Sequence, residues 1–233
     1  MKIVISGASR GLGFSMAEAF AKEGHDLYLT AKNEVTLYGA LASLMARFPD
    51  QTIKAKPFDL GTKQGALDFG QWILDAGVAT DILINNAGTF QPGRIYDEPE
   101  GQLEEIMQVN FFSAYYLTRT LLPSMIQRKS GHIFNISSIA ALQAYPGGGS
   151  YSISKFALSG FSKNLRQELK EFHIKVTCIY PGAVYTDSWE ESGVQPARIM
   201  KASDIADSVV QISKLSPQAV VEELVIRPLA GDL

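Results

Sequence analysis

Cysteine is almost absent from this chain: Cys178 is the only one in 233 residues. A lone thiol excludes an intrachain disulfide and a cysteine-built zinc cluster, and it permits a reducing compartment. Cys178 lies in the apolar run 174–179, where it reads as a small buried hydrophobe. No metal site is expected. Charge of one sign is also lacking, since a formal net charge of −3 gives no electrostatic case for nucleic acid or for an anionic membrane surface. No apolar run approaches the roughly 20 residues that a membrane span needs. Repeats, low-complexity tracts and Pro/Ser-rich linkers are missing too, so residues 1–233 are expected to form one domain. No secretory leader is expected, because Lys2 to Ile5 leads straight into a glycine turn, and the cytoplasm is the expected compartment.

What is present is a regular alternation. With 46% hydrophobic and 19% charged residues, the chain can bury a full core. Short β-branched runs at 3–6, 27–30, 52–58, 82–85, 132–137, 175–179 and 224–226 read as strands. Helical periodicity predicts helices over 14–23, 35–47, 63–75, 102–128, 151–171 and 204–214. Connections this short between strands and helices argue an α/β fold: a parallel sheet covered by helices on both faces. Pro123 is expected to bend or tighten the long helix near its end.

The first strand runs into Gly7, Gly11 and Gly13, with a helix immediately after. Glycines suit a backbone that must turn tightly and admit a pyrophosphate with no Cβ in the way. The helix N-terminus then offers unpaired N–H groups and partial positive charge to the phosphates. At the end of the second strand, NAD-specific sites place a carboxylate that accepts from the ribose 2′-hydroxyl. Here Ala31 stands at that point and Lys32 follows, while Arg10 sits inside the glycine loop. Both cations attract a 2′-phosphate that a carboxylate would repel, so NADP(H) is the expected cofactor.

Tyr151 and Lys155 are four apart on a predicted helix and therefore share a face. An ordinary phenol, with a pKa near 10, is a poor base at neutral pH. A nearby ammonium is expected to stabilise the phenolate and lower that value. Tyr151 can then give a proton to a developing alkoxide, or take one in the reverse direction.

In order and spacing, the glycine loop, Asn85-Asn86-Ala87-Gly88, Asn110, Ser138, Tyr151 and Lys155 resemble the short-chain dehydrogenase/reductase family, almost from Met1 to Leu233. The resemblance implies a Rossmann-type doubly wound parallel sheet of about seven strands. It implies cofactor contacts from Gly7, Ser9, Arg10, Gly11, Leu12 and Gly13, with Ser6 where the family usually has Thr. Asp59 and Leu60 are implied at the adenine, and Asn86, Ala87 and Gly88 near the ribose. Lys32 would meet the 2′-phosphate, and Tyr151 and Lys155 would touch the cofactor as well. After the sixth strand, Pro181, Gly182, Val184 and Thr186 would meet the nicotinamide end, which delivers its pro-S hydride in this family. The implied catalytic set is Asn110, Ser138, Tyr151 and Lys155. Ser138 would bond the substrate carbonyl, and Asn110 would kink its helix and support a water-mediated proton relay to the lysine. Pairing of helices 102–128 and 151–171 between subunits implies a homodimer or homotetramer. Phe111, Phe112, Tyr115 and Tyr116 exceed what one helix face needs to cover a sheet.

Substrate identity is less legible. The segment 187–201 is expected to form a short lid, with Trp189, Tyr145 and Phe90 as candidate pocket walls. Glycines 147–149 are expected to make the approach to Tyr151 flexible. The tail 220–228 lacks the Asp-Gly-Gly ending of many relatives, and it looks more like bacterial members of the sepiapterin-reductase type. In pterin reductases a carboxylate can anchor the substrate, a role for which Asp187 and Asp232 are candidates. The expected activity is NADP(H)-dependent reduction of a carbonyl to a secondary alcohol, on a pterin side chain or small dicarbonyl. A 3-oxoacyl thioester reductase is the alternative enzyme. An NADP(H)-sensing regulatory protein is the alternative without turnover.

Overall fold

The structure, a computed structural model, describes residues 1–186 and 193–232. Seven strands form one parallel sheet: β1 Lys2–Ser6, β2 Asp26–Thr30, β3 Ile53–Ala55, β4 Ile82–Asn85, β5 Gly131–Ile136, β6 Ile174–Pro181 and β9 Glu223–Ile226, in the order β3-β2-β1-β4-β5-β6-β9. The order reverses beside β1, and that switch point opens a crevice at the carboxyl ends of the strands. Alternation along each strand sends apolar side chains to both faces. Ile3, Ile5, Leu27, Leu29, Ile82 and Ile84 pack with Met16 and Phe20 of α1 (Gly11–Lys22), Leu37 of α2 (Glu34–Arg47) and Val209 of α7 (Ala202–Ser213). Val4, Tyr28, Leu83 and Ile133 face the other way, onto α3 (Lys63–Asp75), α5 (Ser113–Arg128) and α6 (Gly149–Leu169). Strands buried on both sides are what an all-parallel sheet requires.

Local signals set the helix starts. Asn33 accepts from Thr36 N at 2.9 Å to open α2, and Thr62 accepts from Gly65 N at 3.0 Å to open α3. The sheet also carries a polar seam. Asn85 Nδ2 donates to Asn135 Oδ1 at 2.8 Å and to Thr118 Oγ1 at 3.0 Å, and Asn135 Nδ2 donates to Ser162 Oγ at 2.8 Å. These bonds tie β4 and β5 to α5 and α6 in a buried setting where an unpaired amide is costly.

Three elements depart from expectation. β3 is shorter than 52–58 and ends at Ala55, although Pro57 costs no bond to β2, because the even-numbered residues of this edge strand are the ones that face it. Flanking contacts persist all the same, from Lys56 N to Leu29 O and Phe58 N to Ala31 O. The expected helix 102–128 is three pieces: α4 (Gln102–Met107), a π-helical turn at Gln108–Phe112, then α5. The irregularity sits there, and α5 continues through Pro123. An unexpected two-stranded parallel pair, β7 (Val184–Tyr185) with β8 (Met200–Lys201), spans the base of the anticipated lid. Among the described residues, no helix is long and apolar enough to cross a membrane.

His132 in β5 is buried against Phe134, with Nε2 2.8 Å from Thr177 Oγ1. Burial, aided by Lys175, pushes its pKa down to about 3. The unfolded imidazole titrates near 6.5, so only the unfolded chain takes up this proton in between. The neutral ring's contribution is complete above pH ~6.5 and is lost as pH falls from there toward about 3, amounting to about 2 kcal/mol by pH ~5. Urea titrations at neutral and mildly acid pH should show a smaller acid loss in His132→Gln than in the unmodified protein. Identical losses in both would remove His132 as the cause.

Candidate active site

The crevice is a cleft of about 990 Å³ running across the carboxyl ends of β1, β2 and β4. Its floor is the turn from β1 into α1, lined by Gly7, Ser9, Arg10, Gly11, Leu12 and Gly13. Side chains are excluded here by space. A Cβ on Gly13 would collide with Gly7 O, and one on Gly7, where φ is +67°, would lie 2.9 Å from Ala87 Cα. The Arg10 side chain makes no cap to α1, and the first turn of that helix, Gly11 to Gly13, lines the cleft. Ser6 Oγ accepts from Asn86 N and Ala87 N, each at 3.0 Å, and Asn86 Nδ2 donates to Ser6 O and Gly7 O. The hydroxyl at position 6 thus joins the β1 turn to Asn86, Ala87 and Gly88, which form the next wall.

At one end stand Ala31, Lys32, Asp59 and Leu60. Lys32 Nζ lies 2.9 Å from Asp59 Oδ2, while Asp59 Oδ1 accepts from Gly61 N at 2.9 Å. Asp59 holds the Lys32 pKa above its ordinary value; the Lys32 ammonium, helped by the Gly61 amide, holds the carboxyl below its own. Asn33 and Thr36 line the same end, and sequence reasoning passed over them. The cap pattern Asn-x-x-Thr at the start of α2 was the available signal. Phe58, Val109, Thr89 and Ile136 also line the cleft, and their side-chain types carry no mark of it.

At the other end lie Tyr151 and Lys155, on one face of α6. Lys155 Nζ is 5.7 Å from the Tyr151 ring centroid and donates to Ile136 O at 3.0 Å. Burial pushes the Lys155 ammonium down to about 8. The expectation that this ammonium lowers the phenol's pKa is corrected: burial dominates and moves Tyr151 up, with the Ser138 hydroxyl drawing it partly back. Burial thus favours the protonated form of the phenol. Ser138 caps a 3-10 turn after β5, accepting from Ala140 N at 3.1 Å. Its neighbour Ser137 is buried and donates to Lys155 O at 3.2 Å, so Ser138 alone of the two acts on the phenol.

Asn110 lies in the π turn, whose shifted backbone register is a frequent mark of functional sites. Its Oδ1 accepts from Thr89 N at 2.7 Å; its Nδ2 donates to Thr89 O at 3.0 Å and to Ser154 Oγ at 2.9 Å. A Cβ on Gly88 would meet both Asn110 Oδ1 and Lys155 Nζ at van der Waals distance, which puts Asn110 beside the lysine.

Thr186 closes the glycine end, in reach of Gly11. Pro181, Gly182 and Val184 do not line the cleft. Pro181 ends β6, Gly182 packs under Pro228 and Asp232, and Val184 is buried in β7. Phe90 meets Tyr151 edge-on, with ring centroids 4.9 Å apart, and Tyr145 lies near enough that ionising one of the two phenols opposes ionising the other. Asp232 pairs with Arg227, so its carboxylate is already engaged. Asp187 and Trp189 lie outside the described residues.

Residues 1–196 match the family model described as short chain dehydrogenase. The chain is 30% identical over 239 residues to sepiapterin reductase of Chlorobaculum tepidum, covering 99% of this chain and 97% of that protein. It is 37% identical over 187 residues to dehydrogenase/reductase SDR family member 7B of Mus musculus, a match that covers 79% of this chain and only 58% of the mouse protein. L-sorbose reductase from Gluconobacter frateurii, solved in complex with NADPH and L-sorbose, superposes with a TM-score of 0.90 at 27% identity, over 100% of this chain and 96% of that one. The chain belongs to the short-chain dehydrogenase family, and it is an oxidoreductase.

Proposed function

We propose that the protein reduces a carbonyl to a secondary alcohol at the expense of NADPH. The observation that carries this reading is the cleft itself, with a protonated Tyr151 beside Lys155 at one end and Lys32, not a carboxylate, following Ala31 at the other. The NADPH complex of the Gluconobacter reductase supports the cofactor. NADPH, when bound, supplies the hydride. The chain's residues would do the rest. Gly7, Gly11 and Gly13 admit the pyrophosphate to the α1 amides, and Lys32 and Arg10 attract the 2′-phosphate. Ser138 bonds the carbonyl oxygen and Tyr151 gives that oxygen its proton. Lys155, a cation over the phenol, favours the tyrosinate that remains. Asn110 holds the Thr89 backbone next to this pair.

The likeness to a sepiapterin reductase favours a pterin side chain or a small dicarbonyl. The aromatic edge of Phe90 beside Tyr151 suits a flat substrate. A panel of pterins, diketones, acyl thioesters and aldehydes, with NADPH consumption followed optically, tests this choice. The account expects the highest kcat/KM on the first two classes, and a preference for acyl thioesters would replace it with the 3-oxoacyl reading.

We further propose that two copies pair through α5 and α6. Phe111 and Tyr115 gather round Phe161 with centroids 6.0 and 5.6 Å away, and Ile153 and Phe156 stand exposed on α6. Such a face suits a two-fold helical interface. Sedimentation at micromolar concentration should give a dimer or tetramer, and a fully active 25.4 kDa monomer would overturn this.

A further inference from the structure

The loop joining β4 to α4 lies across the start of α6, and its hold on that helix is specific. Helix α6 begins at Gly149 after Gly148, which has no side chain to cap it. The first-turn amides therefore need an acceptor from elsewhere. Glu98 supplies one: Ser150 N donates to Glu98 Oε1 at 2.8 Å, and Ser150 Oγ donates to Glu98 Oε2. Ser150 is 1% exposed, so these groups have little recourse to water. A carboxylate at a helix N-terminus is also favoured by the helix dipole. A turn in which Asp97 N and Glu98 N both donate to Arg94 O, at 2.8 and 2.9 Å, aims the carboxylate back at the helix.

The fit is close on both sides. Gly93 N donates to Gly147 O at 3.1 Å. A Cβ on Gly93 would lie 2.6 Å from Glu98 Cγ; one on Gly149, where φ is +36°, would strike Glu98 Oε1 and lie 2.7 Å from Gly93 O. The glycines before Tyr151 thus serve close approach of this loop, where the sequence suggested flexibility. At its other end the loop is pinned by Asn110 through both backbone groups of Thr89. Between the two pins sits Phe90, edge-on to Tyr151.

We propose that Glu98 is a positioning residue for the reduction. It caps α6 from across the substrate side of the cleft, fixing the turn that carries Tyr151 and holding Phe90 against the phenol. The proposal rests on Tyr151 as the proton donor. Tyr151 follows Ser150 directly, so loss of the cap shifts the phenol relative to the carbonyl, and a displacement of about 1 Å can cost on the order of 10²-fold in rate.

The test compares Glu98→Ala with Glu98→Gln. The amide of Gln can still accept from Ser150 N and donate to Ser150 Oγ. Glu98→Ala is expected to lower kcat about tenfold with NADPH affinity unchanged, because Glu98 does not line the cleft. Glu98→Gln should recover most of that loss. Hydrogen exchange needs no substrate: the amides of Gly93 and Ser150 should exchange faster together in Glu98→Ala, with α1 unaffected. Unchanged exchange at Ser150 in Glu98→Ala would overturn the proposal. So would a parallel fall of kcat and NADPH affinity that Gln does not correct, since that marks general destabilisation. If the unmodified protein turns over no carbonyl at all, the proposed function fails, and the exchange measurement still decides whether Glu98 orders the start of α6.

Discussion

Tyr151→Phe is expected to lower kcat by about 10²–10⁴-fold, the usual contribution of a positioned general acid, while NADPH affinity stays nearly unchanged. The variant deletes one oxygen from a side chain that packs edge-on against Phe90, and the ring contact survives. Burial holds the phenol's pKa above its ordinary value, so the group lost is one that carries its proton throughout the neutral range. Lys155→Ala should behave differently. Its ammonium is buried and donates to Ile136 O, so removal takes a donor from that carbonyl and deletes a cation from the cleft. Both kcat and NADPH affinity should fall. Steady-state kinetics with a fluorescence titration of NADPH separate the two patterns. Substantial turnover by Tyr151→Phe would mean that another group supplies the proton.

The second large effect concerns cofactor choice. The unmodified protein is expected to prefer NADPH over NADH in kcat/KM by at least about tenfold, the order of a charge-assisted contact to phosphate. Ala31→Asp combined with Lys32→Ala should reverse that order. The substitution works on two charges at once. Asp at position 31 can accept from a ribose 2′-hydroxyl and repels a 2′-phosphate. Loss of Lys32 also leaves Asp59 without the ammonium now 2.9 Å away, adding a second uncompensated carboxylate to the same end of the cleft. Equal kcat/KM for the two cofactors in the unmodified protein would contradict the assignment of Lys32.

The layout of the sheet was legible because its cause is local and periodic. Runs such as Ile3–Ile5 and Ile82–Ile84, apolar on both faces, can hardly be anything but central strands of a covered sheet. The glycine turn and the Tyr151–Lys155 spacing were legible for the same reason, since one turn and one helical repeat place those side chains. What escaped depends on partners distant in the chain. The break at Asn110 was implied only by the resemblance, because its partners Thr89 and Ser154 are contacts that hydrophobic period does not encode, while Pro123, which local sequence did single out, leaves α5 unbroken. The Lys32–Asp59 pair arises because β2 and β3 run side by side and parallel, bringing their carboxyl ends together. Nothing local in the sequence marks Glu98, whose partner Ser150 lies 52 positions on. The phenol's pKa went the other way from expectation because burial, which spacing does not report, dominates it, and only the Ser138 hydroxyl draws it partly back.

The cleft is expected to pass the pro-S hydride of NADPH to a carbonyl carbon. The most direct measurement supplies NADPH deuterated at the pro-S position of its nicotinamide and analyses the alcohol formed from the best carbonyl of the panel by mass and NMR spectroscopy. The account predicts one deuterium on the carbinol carbon and unlabelled oxidised cofactor. An unlabelled alcohol with the deuterium retained in the cofactor would contradict it.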